Sequence, residues 1–222
     1  MLNGPSFVPS KIQNAVILCH GYGSNGDDLM GLVPYLKQSL PQTGFFCPNG
    51  PTPMMYNGFE WFSLSDYNMA PEFVSNDYLD ILVQRCEEPS KLLISYIEHI
   101  KKNFNLEDKN IILMGFSQGG LLALYTGLTT QNTLSGLIGC SAIPIIFEKN
   151  LNASNITKQP SILLTHGTSD EVVPSNGVNL SAHQLSKVGI KPKIFLSEGL
   201  GHGIDTPCLN EIISFIQKCC NN

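Results

Sequence analysis

A five-residue string, Gly115-Phe116-Ser117-Gln118-Gly119, follows directly on the apolar run Ile111-Ile112-Leu113-Met114 and leads into Leu121-Leu122-Ala123-Leu124. A short apolar run closed by glycine reads as a buried strand, and the run after Gly120 as part of a helix packed on that strand. The strand therefore ends on a serine that opens a helix, the arrangement called a nucleophile elbow. So sharp a turn leaves no space for side chains two positions to either side of the serine. Gly115 and Gly119 meet that need, and Ser117 is expected in a strained, accessible conformation. The plainer reading is a glycine-rich βα turn of an open parallel sheet.

A serine hydroxyl is a weak nucleophile near neutral pH and needs a histidine base steadied by an acid. Ser161-Ile162-Leu163-Leu164-Thr165 reads as a buried strand running into His166-Gly167-Thr168-Ser169-Asp170, which places Asp170 in the loop beyond the strand. Lys193-Ile194-Phe195-Leu196 reads as another strand, and the loop after it carries His202 between Gly201 and Gly203. By itself Asp170 could be only a turn or cap residue ahead of Glu171-Val172-Val173-Pro174. Of the other histidines, His99 and His183 fall in helical patterns, His20 precedes a glycine turn, and His166 fits a role in fixing the acid loop. The chain order Ser117, Asp170, His202 is that of α/β-hydrolases, unlike the orders of the chymotrypsin and subtilisin types.

Attack on an ester or thioester carbonyl builds negative charge on oxygen, which requires N–H donors already in place. The backbone N–H of Gln118, first in the elbow helix, is one expected donor. Ala15-Val16-Ile17-Leu18-Cys19 reads as a strand followed by His20-Gly21-Tyr22-Gly23, and the N–H of Tyr22 is the expected second donor. A phosphate loop is the competing reading of these glycines, but neither glycine-rich phosphate signature is complete here.

Taken together, Leu18-Cys19-His20-Gly21-Tyr22-Gly23, Gly115-Phe116-Ser117-Gln118-Gly119-Gly120, His166-Gly167-Thr168-Ser169-Asp170-Glu171-Val172-Val173-Pro174 and Gly201-His202 resemble the carboxylesterase, phospholipase and acyl-protein thioesterase family of small α/β-hydrolases. The resemblance spans nearly the whole chain. It implies the α/β-hydrolase fold, with Ser117, Asp170 and His202 as triad and the Tyr22 and Gln118 amides as oxyanion hole. Pro48-Asn49-Gly50-Pro51 and Trp61-Phe62 also look like the family's segment ahead of its substrate loop. Two departures lie where an acyl groove is expected: Ser63 stands where the family often has Asp, and Ser141-Ala142-Ile143-Pro144 replaces Ser-Gly-aromatic-Leu-Pro.

Length and composition fit one domain over 1–222, for which the resemblance implies an α/β-hydrolase fold, a mostly parallel central sheet with helices on both faces. With 222 residues, 42% of them hydrophobic, the chain can bury a single large core, and no linker or repeat marks a boundary. Only 14% of residues are charged and the net charge is −5, so there is no basic field for nucleic acid. Between Asn110 and Phe147 no residue is charged. Glycines, Gln118, Gln131, Asn132 and Pro144 nevertheless interrupt the stretch, leaving nothing near the roughly eighteen apolar residues of a membrane span.

Met1-Leu2-Asn3-Gly4-Pro5-Ser6 has no basic region followed by an apolar core, so no secretory signal is read. Seven cysteines then fit free thiols and a cytoplasmic location. Cys19, Cys47 and Cys140 fit as small apolar strand residues, and Cys219-Cys220 lacks the spacing of a redox or metal pair. Helices are expected from Asp27 or Asp28 to about Leu40, from Asp77 or Tyr78 toward Cys86, from about Pro89 to Phe104, and from Gln118 to about Leu128. Two more are expected at 176–187 and 209–219.

The segment at about 52–76 has no clear period and reads as a lid or acyl-binding loop. Met54, Met55, Trp61, Phe62, Leu64 and Met69, with Ile143, are the expected substrate-binding side chains, unless they merely seal the core. The whole reads as a serine hydrolase of carboxylic esters or acyl thioesters, needing no metal or organic cofactor. Its substrate would be a small ester, a lipid or an acylated protein, and a homodimer is compatible with the apolar segment. The rival readings are a lysophospholipase acting on single-chain lipids and a catalytically silent relative that binds a hydrophobic ligand.

Overall fold

A computed structural model of the chain describes residues 1–64, 75–147, 149, 151–156 and 159–220. Strands β1 (Ser6–Phe7), β2 (Asn14–Cys19), β3 (Thr43–Phe46), β6 (Ile111–Phe116), β7 (Gly136–Cys140), β8 (Ser161–Gly167) and β9 (Lys193–Ser197) form one sheet, and β4 (Thr52–Pro53) pairs with β5 (Phe59–Glu60) in a separate hairpin. The large sheet runs in the order β1-β3-β2-β6-β7-β8-β9. All its neighbouring pairs are parallel except β1 with β3.

Helices cover both faces, so the central strands are apolar at successive positions instead of alternating. Ala15, Ile17, Cys19, Ile111 and Leu113 enter one core, together with α3 (Asn76–Arg85), α4 (Glu87–Phe104), α5 (Gln118–Thr129) and α6 (Asn176–Ser186). Val16, Leu18, Ile112 and Met114 point the other way, into a core shared with α1 (Gly26–Met30), α2 (Val33–Ser39) and α7 (Thr206–Cys220). Each such aliphatic side chain removed from water contributes about 1.5–3 kcal/mol, which makes β2 and β6 a stiff base for the turns that leave them. All seven cysteines are free thiols. Among the described residues no helix is long and apolar enough to cross a membrane.

Several boundaries differ from the sequence reading, for local reasons. The helix expected from Asp27 or Asp28 to Leu40 is two helices, and the residue capping the first is Asn25, whose side chain accepts the Asp28 N–H. Ser75 caps α3 in the same way through the Tyr78 N–H. Helix α7 starts at Thr206, ahead of the expected Leu209, because Asp205 takes the N–H of Cys208. Cys47, expected on an apolar strand, lies just past the end of β3 at Phe46, and Gly44 belongs inside that strand, where a Cβ would lie 2.5 Å from Ile12 Cδ1. Part of the 52–76 segment is the β4–β5 hairpin, turned by a 3-10 segment at Met55–Asn57, while residues 65–74 lie outside the described residues.

The chain moves outward from β2 to β3, then returns to place β6 on the other side of β2. Loops leaving the carboxyl ends of β2 and β6 therefore diverge and open a crevice between them, the usual place for a ligand in an open α/β sheet.

Candidate active site

Ser117 links β6 to α5 with φ 54° and ψ −117°, a conformation a side chain adopts only under strain. Its surroundings hold it there: Ser117 N–H donates to Cys140 O at 2.9 Å, and Ser117 O accepts from the N–H groups of Gly120 at 3.0 Å and Ile143 at 3.2 Å. Both elbow glycines are sterically required. A Cβ on Gly115 would lie 2.0 Å from Gly119 O, and one on Gly119 would lie 2.2 Å from Cys19 O and 2.4 Å from His20 O.

The turn after β2 packs directly on the elbow, since a Cβ on Gly21 would stand 3.5 Å from Ser117 Cβ. His20 anchors that turn. Its Nε2 accepts the Gly50 N–H at 2.9 Å, which leaves the proton on Nδ1 to donate to Gly21 O at 2.8 Å, and its carbonyl accepts the Trp61 indole N–H at 2.9 Å. Burial pushes the His20 imidazole below its ordinary pKa, which favours this neutral tautomer. Tyr22 follows in the same turn, closed by Ser24 N–H to Gly21 O and fastened to β5 by Gly23 N–H to Phe59 O. Gln118 occupies the first position of α5, where backbone N–H groups have no partner within the helix.

Asp170 and His202 meet from separate loops: His202 Nδ1–H donates to Asp170 Oδ2 at 2.8 Å. The other carboxylate oxygen, Oδ1, accepts the N–H groups of Val172 and Val173, each at 2.9 Å. Burial opposes ionisation of this carboxyl, but the bonds from His202 and the two amides outweigh it and hold its pKa below the usual carboxylate range. The two loops are laced by Thr168 N–H to Ser197 O and Ser169 N–H to Leu200 O, both 2.9 Å, and by Gly199 N–H to Thr168 Oγ1 at 2.8 Å. On its open side the His202 ring lies against Phe116, centroids 4.7 Å apart.

Ser117 and His202 share one cavity of about 720 Å³, whose wall also includes Gly21 and Tyr22. Leu64 and Ile143, both expected to meet substrate, line it. Trp61 and Phe62 do not: they are core residues, with Trp61 at 2% exposure and tied by its indole to the carbonyl of His20. Met54 and Met55 also lie off this wall, Met55 being exposed at the turn of the hairpin, and Met69 lies outside the described residues. The sequence reading missed the lining from Leu79 and Leu82 on α3 and from Leu180 on α6. Their apolar spacing was visible, but nothing local distinguishes a helix face turned to a cavity from one turned to the core. A smaller cavity of about 310 Å³ lies at the start of β8 beside Lys191, Lys193 and Lys218, away from the strand ends that carry Ser117 and His202.

The phospholipase/carboxylesterase family model matches residues 8–220. Acyl-protein thioesterase 1 of Gibberella zeae is 26% identical, over 96% of this chain and 94% of that protein. Acyl-protein thioesterase 1 homolog 1 of Dictyostelium discoideum is 27% identical, over 91% and 89%. Among solved structures, that of the esterase PE8 superposes with a TM-score of 0.86 at 32% identity, covering 98% of this chain and 99% of the other. The fold, the serine turn and these similarities converge: the chain belongs to the phospholipase/carboxylesterase family of α/β-hydrolases, which are esterase-type enzymes.

Proposed function

We propose that this protein is a single-domain serine hydrolase that cleaves long-chain acyl esters or thioesters through an acyl-enzyme. Ser117 is the nucleophile, His202 the base, Asp170 the acid that orients it, and the N–H groups of Tyr22 and Gln118 form the oxyanion hole. The observation that carries the reading is the Asp170–His202 hydrogen bond beside a serine held at φ 54°, with Ser117 and His202 opening onto the same cavity.

In this mechanism Ser117 Oγ bonds to the carbonyl carbon as its proton passes to Nε2 of His202, and the carbonyl electron pair moves onto oxygen. Nδ1–H remains on Asp170, whose charge stabilises the imidazolium. Collapse of the tetrahedral intermediate breaks the C–O or C–S bond, and the leaving alcohol or thiol takes the proton from His202. Water then attacks the acyl-enzyme with His202 again as base, releasing the carboxylic acid and restoring Ser117. Removal of one oxyanion donor in such enzymes typically costs 10²–10³ in kcat.

The choice of a long acyl chain rests on the size of the cavity and on its aliphatic wall from α3, α6, Leu64 and Ile143. The thioesterase names of the curated relatives favour an acylated protein as its bearer. The test is hydrolysis of nitrophenyl esters of increasing acyl length by the wild type and by Ser117→Ala. Turnover that rises with chain length and vanishes in the variant supports the reading. Turnover that survives Ser117→Ala, or none at any length, overturns it.

A further inference from the structure

Asp170 carries a second histidine. His166, on β8, has a wholly buried side chain, and its Nε2 lies 2.7 Å from Val173 O and 3.1 Å from Asp170 Oδ2. Both neighbours are acceptors, so Nε2 bears the proton, which it donates to Val173 O while standing beside Asp170 Oδ2. Nδ1 is buried without a partner among the described residues, so a second proton there would have nothing to bond. His166 is therefore a neutral, fixed donor. Asp170 Oδ1 thus accepts the Val172 and Val173 amides, while Oδ2 accepts His202 and has His166 Nε2 within 3.1 Å.

We propose that His166 is a positioning residue that shares Asp170 Oδ2 with His202, and by drawing on that oxygen's charge holds down the basicity of His202. The inference rests on the assignment of Asp170 and His202 as acid and base. A carboxylate oxygen that already accepts one N–H offers less charge to a second. The imidazolium on His202 is thus stabilised enough to form during attack, yet stays acidic enough to hand its proton to the leaving group. Turning the Asp170 carboxylate out of its plane would break its bonds to His202 and the two amides and part it from His166. Burial, the larger influence, keeps His166 below its ordinary pKa, and the bond to Val173 O and the Asp170 charge only partly offset it.

The other groups around His202 leave this role to His166. Phe116 and Ser117 approach from the elbow, and Ser141, beyond β7, directs its Oγ toward Gly203 O. Asp205, in the same loop as His202, is held by Ser197 Oγ and the Cys208 N–H. Glu171, next to Asp170, is exposed.

Two variants separate tuning from packing: His166→Leu removes the donor, and His166→Gln keeps an amide N–H within reach of the same acceptors. The acidic limb of the kcat/KM pH profile should move to higher pH in His166→Leu, by on the order of three- to tenfold in proton concentration. It should stay near wild type in His166→Gln. Acidic limbs that coincide in all three proteins would overturn the proposal, even if kcat falls. Nitrogen NMR on ring-labelled protein carrying Ser117→Ala gives a readout free of turnover. His202 should titrate higher without the His166 donor, and His166 should remain an Nε2–H tautomer while His202 titrates. Should His166→Leu not fold, a His166 that titrates together with His202, or that carries its proton on Nδ1, would overturn the proposal in the unsubstituted site. Because the NMR readout needs no ester, a failure of the proposed hydrolase activity would not be confused with a failure of this role.

Discussion

Gln118 and Trp61 are joined through backbone and side chain: the Trp61 N–H donates to Gln118 Oε1 at 3.0 Å, while Gln118 Nε2 donates to the carbonyl of the next residue, Phe62, at 2.7 Å. The residue after Ser117 thus pairs, like a strand, with the segment leading to the cavity wall at Leu64. Both bonds are buried, so truncation leaves an N–H and a carbonyl without partners. Gln118→Ala should lower unfolding free energy by about 2–4 kcal/mol, at roughly 1–3 kcal/mol per orphaned group less some relaxation. Urea unfolding measures it, and the α5 N-terminal N–H, a main-chain group, survives the change.

Strain at the elbow makes a prediction of opposite sign. Ser117→Gly relieves the positive φ that Ser117→Ala retains, and such strain is worth about 1–3 kcal/mol. Glycine's extra freedom in the unfolded chain takes back about 0.5–1 kcal/mol. The glycine variant should therefore unfold at a higher urea concentration than the alanine variant, and on the proposed mechanism neither should turn over an ester.

Gly119→Ala should be among the most damaging single-methyl changes in the chain. The added carbon meets the carbonyls of Cys19 and His20, which are backbone atoms at the end of a central strand and cannot rotate aside. Overpacking of this kind costs about 1–3 kcal/mol or more, and esterase activity should fall with it as the elbow and the Tyr22 turn are pushed apart. Soluble yield, circular dichroism and ester turnover check this together.

Acid should weaken the fold before any carboxylate titrates. His20 and His166 are both held below their ordinary value of 6.5, mainly by burial. In the unfolded chain they take up protons below pH 6.5, whereas in the native protein they do so only at lower pH. The unfolded state then binds more protons, so stability falls as pH drops from 6.5 toward the native values. Asp170, held low, adds a further loss below the usual carboxylate range. Unfolding free energy measured from pH 7.5 to 5 should decline, and His166→Gln should flatten part of that slope.

Cavity size bears directly on the choice of substrate. Leu82→Trp adds bulk to the α3 wall and should cut turnover of long acyl esters by tenfold or more, on the scale of about 1–3 kcal/mol for lost apolar contact, while sparing short ones. Equal loss at every length would place the acyl chain elsewhere.

How far the sequence anticipates this depends on how local each cause is. The elbow, the strand runs and the glycine turns are legible because each depends on residues within a few positions, as Gly115 and Gly119 do. The separation of Trp61 from Leu64 is not legible: both are apolar residues in one aperiodic stretch, and only the distant carbonyl of His20 draws the Trp61 indole into the core. Helix caps are misread for a related reason, since Asn25 and Asp27 are equally plausible caps until the entering backbone direction selects one. His166 was legible as a residue that fixes the acid loop, but its share in Asp170 Oδ2 depends on a side-chain direction that no periodicity encodes.

Gly167 sits where a side chain would collide with the carbonyls of Leu200 and Gly201. The loops bearing Asp170 and His202 therefore register main chain against main chain. A histidine carried by such a joint keeps its place whatever side chains the loop displays outward. Glu198, exposed on that loop, can be recoded to alter surface charge or the choice of partner while the chemistry beneath stays in tune.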